Sequence, residues 1–350
     1  MCEKNMNKNT IAVKIFVALA AVLIFSCAGQ EKIFIDKQHK DGKYDSEFPS
    51  VSASDALERI SNSIFLVNSL AFYKQFNFRP ESKIRYSDLS ASSIVANSYS
   101  QTNFNKTASG TATVIGATST KLLLLTCQHI VSFEDTIVVY VQDSSGKATE
   151  FIESISFKNK QNNYTNIRGT GETEILFEDV ENDIALISNE IVNRDPFAYR
   201  IFDYRIGNSD ELNWGNFVYT LGYPLHYKMV SRAIVSKPSS DTKNYFIIDA
   251  VMNRGASGGL VLAIRDGIPN FELVGIISWV PADKYYFLKP EMSETKMLEN
   301  QEYRGQEIIG VQENVKYGIT KVVSINTIKE FLDKHSNAIN KKGFQIFLFN

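Results

Sequence analysis

From residue 110 onward the chain is a series of short apolar runs cut by turn residues, and this rhythm restricts its fold more than any other feature. The runs "GTATVIG" (110–116), "KLLLLTC" (121–127), "DTIVVYVQ" (135–142), "EFIESISF" (150–157), "TEILFED" (173–179) and "DIALIS" (183–188) form a first group. "NFVYTLGYP" (216–224), "SRAIVS" (231–236), "NYFIIDAVM" (244–252), "GGLVLAI" (258–264) and "FELVGIISWV" (271–280) form a second. Their β-branched, aromatic and alternating character suits a pleated surface with at least one face buried. Helical patterns do not intervene between them, so βαβ units are excluded and an all-β sandwich or pair of barrels is expected. With 350 residues and 44% hydrophobic content, the chain can supply one large or two modest cores. Helical spacing is expected only in "SASDALERISNSIFLV" (52–67), with capping-type spacings Ser52–Asp55 and Asp55–Glu58, and near the end. There Thr327 and Glu330 have capping-box spacing, and Ile328, Phe331 and Leu332 make an apolar stripe. Residues 74–108 and 159–172 are polar and read as loops, and the tail "GFQIFLFN" as an edge strand or packing arm.

Charge is nearly balanced, at −2, and no cluster of Lys and Arg appears, so the sequence offers no case for nucleic acid. At the start, Lys4, Lys8 and Lys14 precede "IFVALAAVLIFS", an apolar run of 12 residues. That is too short to cross about 30 Å of hydrocarbon as a helix and reads as a targeting segment. Its end, "IFSCAG", resembles the cleavage box of bacterial lipoproteins, which implies that residues 1–26 are removed and that Cys27 is lipidated. Acyl chains would then hold the protein at a membrane in the bacterial envelope. The organisation expected is a signal peptide (1–26), a tether (27–53), an N-terminal barrel (54–196), a C-terminal barrel with its closing helix (197–335) and a tail (336–350). Of Cys2, Cys27 and Cys127, only Cys127 would remain as a free thiol, so no disulfide framework is available.

The stretch "NRGASGGL" (253–260) surrounds Ser257 with minimal side chains. Such a loop can bend sharply and lets another backbone come close. A serine hydroxyl attacks only with a base in reach, and the base needs an orienting acid. The chain has four histidines. His39 lies in the tether, His335 in the last helix and His226 beyond a "GYP" turn; His129 stands at the end of the apolar strand "LLLLTCQHIV". Asp183 opens the apolar strand "DIALIS", where a carboxylate would be partly buried and in need of a partner. "GASGG" also fits the nucleophile elbow of α/β-hydrolases, but that fold needs a helix after the serine, with Asp and His following. Here a strand and an Asp-Gly turn follow. Cys127 and His129 share a strand face, but without further ligands nearby they imply no metal.

"TCQHIV", "NDIALI" and "GASGG" occur in the order His, Asp, Ser. Together with "GTATVI", "IGNSDELNWGNFVYTLGYP" (206–224), "IIDAVMNRGASGG", "VGIISW" and "YGITKVVSINTIKEFL" (317–332), they resemble a chymotrypsin-fold serine peptidase of the HtrA/Deg-like branch. The resemblance implies two six-stranded antiparallel β-barrels and a triad of Ser257, His129 and Asp183, with the amides of Gly255 and Ser257 as oxyanion hole. It implies Val251 at the base of the pocket for the residue before the cleaved bond, which disfavours Lys and Arg. It also implies pairing of a substrate strand with residues 277–280, which include Ile277, Ser278 and Trp279. No cofactor is implied; the partners are polypeptide substrates, and the oligomeric state, including a homo-oligomer, is left open. Arg254 and Ala256 depart from the branch's usual proline and asparagine, and no PDZ-type arm is expected after the helix. The rival reading is a non-catalytic peptide-binding lipoprotein on the same fold; a processing protease with a single substrate is a third.

Overall fold

The computed structural model describes residues 40–346, without 194, 196, 240, 241, 280 and 291–306. The signal segment, Cys27 and His39 lie outside the described residues. Helix α1 (Ser54–Ser61) leads into β1 (Ile64–Asn77), α2 (Ala91–Asn97), β2 (Ser100–Ala117) and β3 (Lys121–Thr126). A one-turn helix, α3 (Gln128–Val131), precedes β4 (Thr136–Gln142), β5 (Ala148–Thr165), β6 (Thr170–Asp179) and β7 (Ile184–Ile191). The second half holds β8 (Arg205–Ile206), β9 (Phe217–Gly222), β10 (Met229–Lys237), β11 (Tyr245–Ile248), β12 (Leu260–Ile264) and β13 (Phe271–Trp279). The hairpin β14 (Ala282–Pro290) with β15 (Glu307–Val315) follows, then β16 (Thr320–Ser324), α4 (Ile325–Lys341) and β17 (Gln345–Ile346).

The fold is all-β with a C-terminal helix, as a chymotrypsin-like two-barrel chain requires. The first sheet runs β4-β5-β1-β2-β3-β7-β6, with β17 added on β2 to make eight strands. It is a half-barrel larger than the expected six-stranded unit. In the second sheet β9, β10, β11, β16, β13 and β12 close into a ring, because β12 pairs with both β9 and β13, and the short β8 adds to β13 in parallel. Closure removes the exposed strand edges that would otherwise invite pairing.

Side-chain parity explains the continuous apolar runs. Along β12, Leu260, Leu262 and Ile264 point into one core while Val261 and Ala263 point into another. Both faces of the strand are covered, so no polar alternation survives. The first of these cores is shared: Leu124 and Ile187 of the first sheet, Leu262 and Ile276 of the second, and Ile328, Phe331 and Leu332 of α4 belong to it. A third, smaller core gathers Phe76, Phe78, Ile94, Ile152 and Ile155 beneath the 80–97 segment.

Several sequence expectations need correction. The 74–108 stretch is not one loop: β1 continues to Asn77 and β2 starts at Ser100, the two pairing over the whole length of β1. Most of 159–172 is likewise strand. The expected start of α1 carries no side-chain cap, and α4 starts earlier than its Thr327–Glu330 box suggests, capped by Ser324, whose hydroxyl accepts the Asn326 N–H. The last helix also extends past 335 to Lys341, beyond which Gln345 and Ile346 pair with Ala117 and Gly116. Finally, the expected tether is docked from Tyr44. This side chain is 4% exposed, donates to Glu272 Oε2 at 2.8 Å and accepts the Asn208 N–H at 2.8 Å. The Arg265 guanidinium lies 4.1 Å from its ring centroid. Among the described residues no helix is long and apolar enough to cross a membrane.

Candidate active site

His129 sits where strand β3 turns into α3, at the expected strand-to-helix corner. Its ring is 45% exposed, whereas Asp183 behind it is 18% exposed. The His129 Nδ1 lies 2.9 Å from both Asp183 carboxylate oxygens, and the His129 backbone N–H donates to Oδ1 at 3.0 Å. The Ser278 hydroxyl donates to Oδ2 at 2.6 Å. Burial alone would push the Asp183 carboxyl pKa up, but the His129 ring, the Ser278 hydroxyl and the His129 amide together hold it below the ordinary carboxylate value. An ionised carboxylate only accepts, so Nδ1 carries the ring proton and the Nε2 lone pair faces away from the acid. Asp183 adopts φ +57°, a left-handed conformation that Asp tolerates better than most side chains. It thereby turns its carboxylate back from the start of β7 toward His129.

The serine loop is held from several sides. The Ser257 carbonyl accepts the Thr111 N–H at 2.7 Å, and the Gly258 N–H donates to the Ile277 carbonyl at 2.7 Å. That same Ile277 oxygen receives the Cys127 thiol at 3.2 Å, so the strand bearing His129 and the loop bearing Ser257 meet there. Gly258 has φ +80°, and a β-carbon on it would collide with the Thr111 carbonyl. Glycine is therefore required twice over at this position. Ser257 itself is half-buried. Its Oγ makes no hydrogen bond within 3.5 Å to the His129 ring among the described residues. Catalytic hydrogen bonds are often long before substrate binds.

The peptide between Arg254 and Gly255 has a defined orientation. Its carbonyl accepts the Leu225 N–H at 2.8 Å. In a trans peptide the N–H points opposite to the C=O, so the Gly255 N–H is turned to the other side. Among the described residues neither the Gly255 nor the Ser257 N–H has a protein acceptor, while those of Ala256, Gly258 and Gly259 are all paired. The departures at Arg254 and Ala256 leave these two donors unpaired.

Other expected site residues fall differently. Val251 is 65% exposed, while its neighbour Met252 is 3% exposed and packs into the second barrel. The expected pocket floor is thus open to solvent. Ile277 is 1% exposed and its N–H donates to the Gly259 carbonyl at 2.8 Å, so its backbone already belongs to the serine loop and is closed to a substrate strand. Ser278 is fully buried, and its hydroxyl is spent on Asp183. The register of the strand against β16 shifts between Ile277 and Trp279. Trp279 remains 47% exposed. The role of Ser278 was not visible in the sequence, because a bulge leaves no compositional mark.

Asp183 completes a group with Cys127 and His129, their ligand atoms all within 4.8 Å of one another. The thiol is fully buried, and burial together with the Asp183 charge raises its pKa well above the ordinary value. A neutral thiol is a poor metal ligand. The group is knit by its own hydrogen bonds, His129 to Asp183 and Cys127 to the Ile277 carbonyl.

No curated protein matches the chain. Residues 110–276 match the family model of the trypsin-like peptidase domain, a match that takes in His129, Asp183 and Ser257 and supports a chymotrypsin-fold serine peptidase.

Proposed function

We propose that the protein is a serine endopeptidase of HtrA/Deg-like type that cleaves polypeptides through an acyl-enzyme. The observation that carries the reading is an exposed imidazole oriented by a largely buried, ionised carboxylate, beside a serine loop with two unpaired amides. Ser257 attacks the scissile carbonyl, and His129 Nε2 takes its proton and later delivers it to the leaving amine. Asp183, braced by Ser278, keeps the proton on Nδ1 and stabilises the imidazolium. The N–H groups of Gly255 and Ser257 receive the oxyanion, each such donor being worth about 2.7–4 kcal/mol in the transition state. The substrate strand runs along Ser278 and Trp279. Anchoring through a lipidated Cys27 would place this activity on envelope polypeptides, damaged or unfolded ones among them.

The test is covalent labelling with a fluorophosphonate probe. The parent protein is expected to label at Ser257, His129→Ala only weakly and Ser257→Ala not at all. A folded parent that does not label, yet binds peptides, would establish the non-catalytic binder instead. Incorporation of labelled palmitate, lost in Cys27→Ser, checks the anchor.

A further inference from the structure

Resting on that reading, we infer that Thr111 is a positioning residue through which the first sheet sets the shape of the oxyanion loop of the second. It lies in β2, is fully buried and is far from the serine in sequence. Its hydroxyl donates to the Gly255 carbonyl at 2.9 Å and accepts the Tyr223 N–H at 2.9 Å. Its backbone N–H donates to the Ser257 carbonyl at 2.7 Å. Its own carbonyl accepts the Thr126 hydroxyl at 2.8 Å, three residues before His129. One residue thus grips the carbonyls of both residues whose N–H groups are to bind the oxyanion, and it is tied in turn to the strand that presents the base.

The hydroxyl's role follows from peptide geometry. The Gly255 carbonyl belongs to the peptide linking Gly255 to Ala256, and holding it limits rotation of Gly255, a residue at φ +96° with little intrinsic restraint. The Arg254 carbonyl on Leu225 fixes the preceding peptide. With both flanking peptides held, the Gly255 N–H keeps one direction. Tyr223 and Leu225 lie on the same turn after β9, so the Thr111 hydroxyl locks the loop and its backing turn together. A hydroxyl is needed, since only a group that donates and accepts at once can bridge a carbonyl to an N–H. Valine has the same shape and does neither.

The experiment compares Thr111→Val and Thr111→Ser with the parent protein, using acylation by a fluorophosphonate, peptide hydrolysis and amide hydrogen exchange over residues 253–260. In Thr111→Val acylation is expected to slow about 10–100-fold, up to the effect of a displacement of order 1 Å and short of the outright loss of an oxyanion donor. The fall appears in kcat with KM little changed, and exchange in 253–260 rises. Thr111→Ser returns both within about threefold of the parent. A Thr111→Val protein that reacts and exchanges like the parent overturns the inference, as does Thr111→Ser behaving like Thr111→Val. If Thr111→Val does not fold, Thr111→Cys, a weak donor, takes its place, and a parent-like rate there overturns the inference too. A parent that is not acylated defeats the proposed activity but not the clamp, which unchanged exchange in Thr111→Val would then defeat separately.

Discussion

At the scale of single residues, the Asp183 carboxylate carries the most consequence. It accepts from His129 twice and from Ser278 once, and the net effect lowers its pKa below the ordinary carboxylate value. A depressed folded-state pKa means stability that is present above the unfolded pKa near 3.9 and lost as pH falls through the folded value. The destabilisation caused by Asp183→Asn is therefore expected to be full at neutral pH and to vanish in the acid range, as chemical denaturation at several pH values would show. A difference that stays constant down to the acid limit would contradict this. Removing Ser278's hydroxyl, in Ser278→Ala, deletes one bond to a charged acceptor, worth about 1.5–3 kcal/mol. It should lower kcat about tenfold or more while leaving the fluorophosphonate bound to the same serine. His129, Asp183 and Ser257 stand out in the sequence because each sits in a motif whose local setting suits one chemical role, and the structure joins the first two by hydrogen bonds. The contact of Ser278 with Asp183 could not be read from the sequence: Ile277 and Ser278 are both buried beside a register shift against β16, and a single residue of bulge carries no sequence signal.

At the scale of elements, legibility followed burial. Strand β12 declared itself as "LVLAI" because two cores need apolar residues from opposite faces of it. The early part of β2, "SQTNFNKTAS", did not, since much of it is exposed and the hydrophobic pattern that marks a strand is missing there. What holds such a segment in the sheet is backbone pairing with β1, which sequence does not display. The docked segment around Tyr44 was missed for a related reason: one tyrosine in a polar stretch has no periodicity, yet its socket is built from Glu272, Arg265 and Asn208. Burial raises the Tyr44 hydroxyl pKa, so it stays a neutral donor. Tyr44→Phe keeps the ring against Arg265 and removes only the hydroxyl, leaving Glu272 short of one donor and Asn208 short of one acceptor. A loss of about 1–3 kcal/mol in unfolding free energy is expected. Full retention of stability would mean that water replaces the hydroxyl and that the segment is not anchored by it.

At the scale of the whole molecule, the distribution of apolar side chains decides whether the two halves unfold separately. A two-barrel chain with a private core in each half would melt in two steps. Here the interior of the second ring is private, formed by Val218, Val235, Phe246, Val261 and Val274 among others, but the larger core is common property. Leu124 and Ile187 enter it from the first sheet, Leu262 and Ile276 from the outer face of the second, and Phe331 from α4, which follows the last strand of the second ring. Opening either half strips the other of apolar cover at about 25 cal/mol per Å². The proposed catalytic arrangement would need the same coupling, because His129 and Asp183 hang on one sheet while Ser257 and Ser278 hang on the other. A single cooperative transition is therefore expected in urea, with backbone exchange in β3 and in β12 protected to the same global free energy. Phe331→Ala, a truncation that typically costs about 3–5 kcal/mol, should lower protection in both sheets together although Phe331 lies in neither. Protection lost in one sheet alone would show that the shared core does not couple the halves, and that only local bonds join the strand bearing His129 to the serine loop.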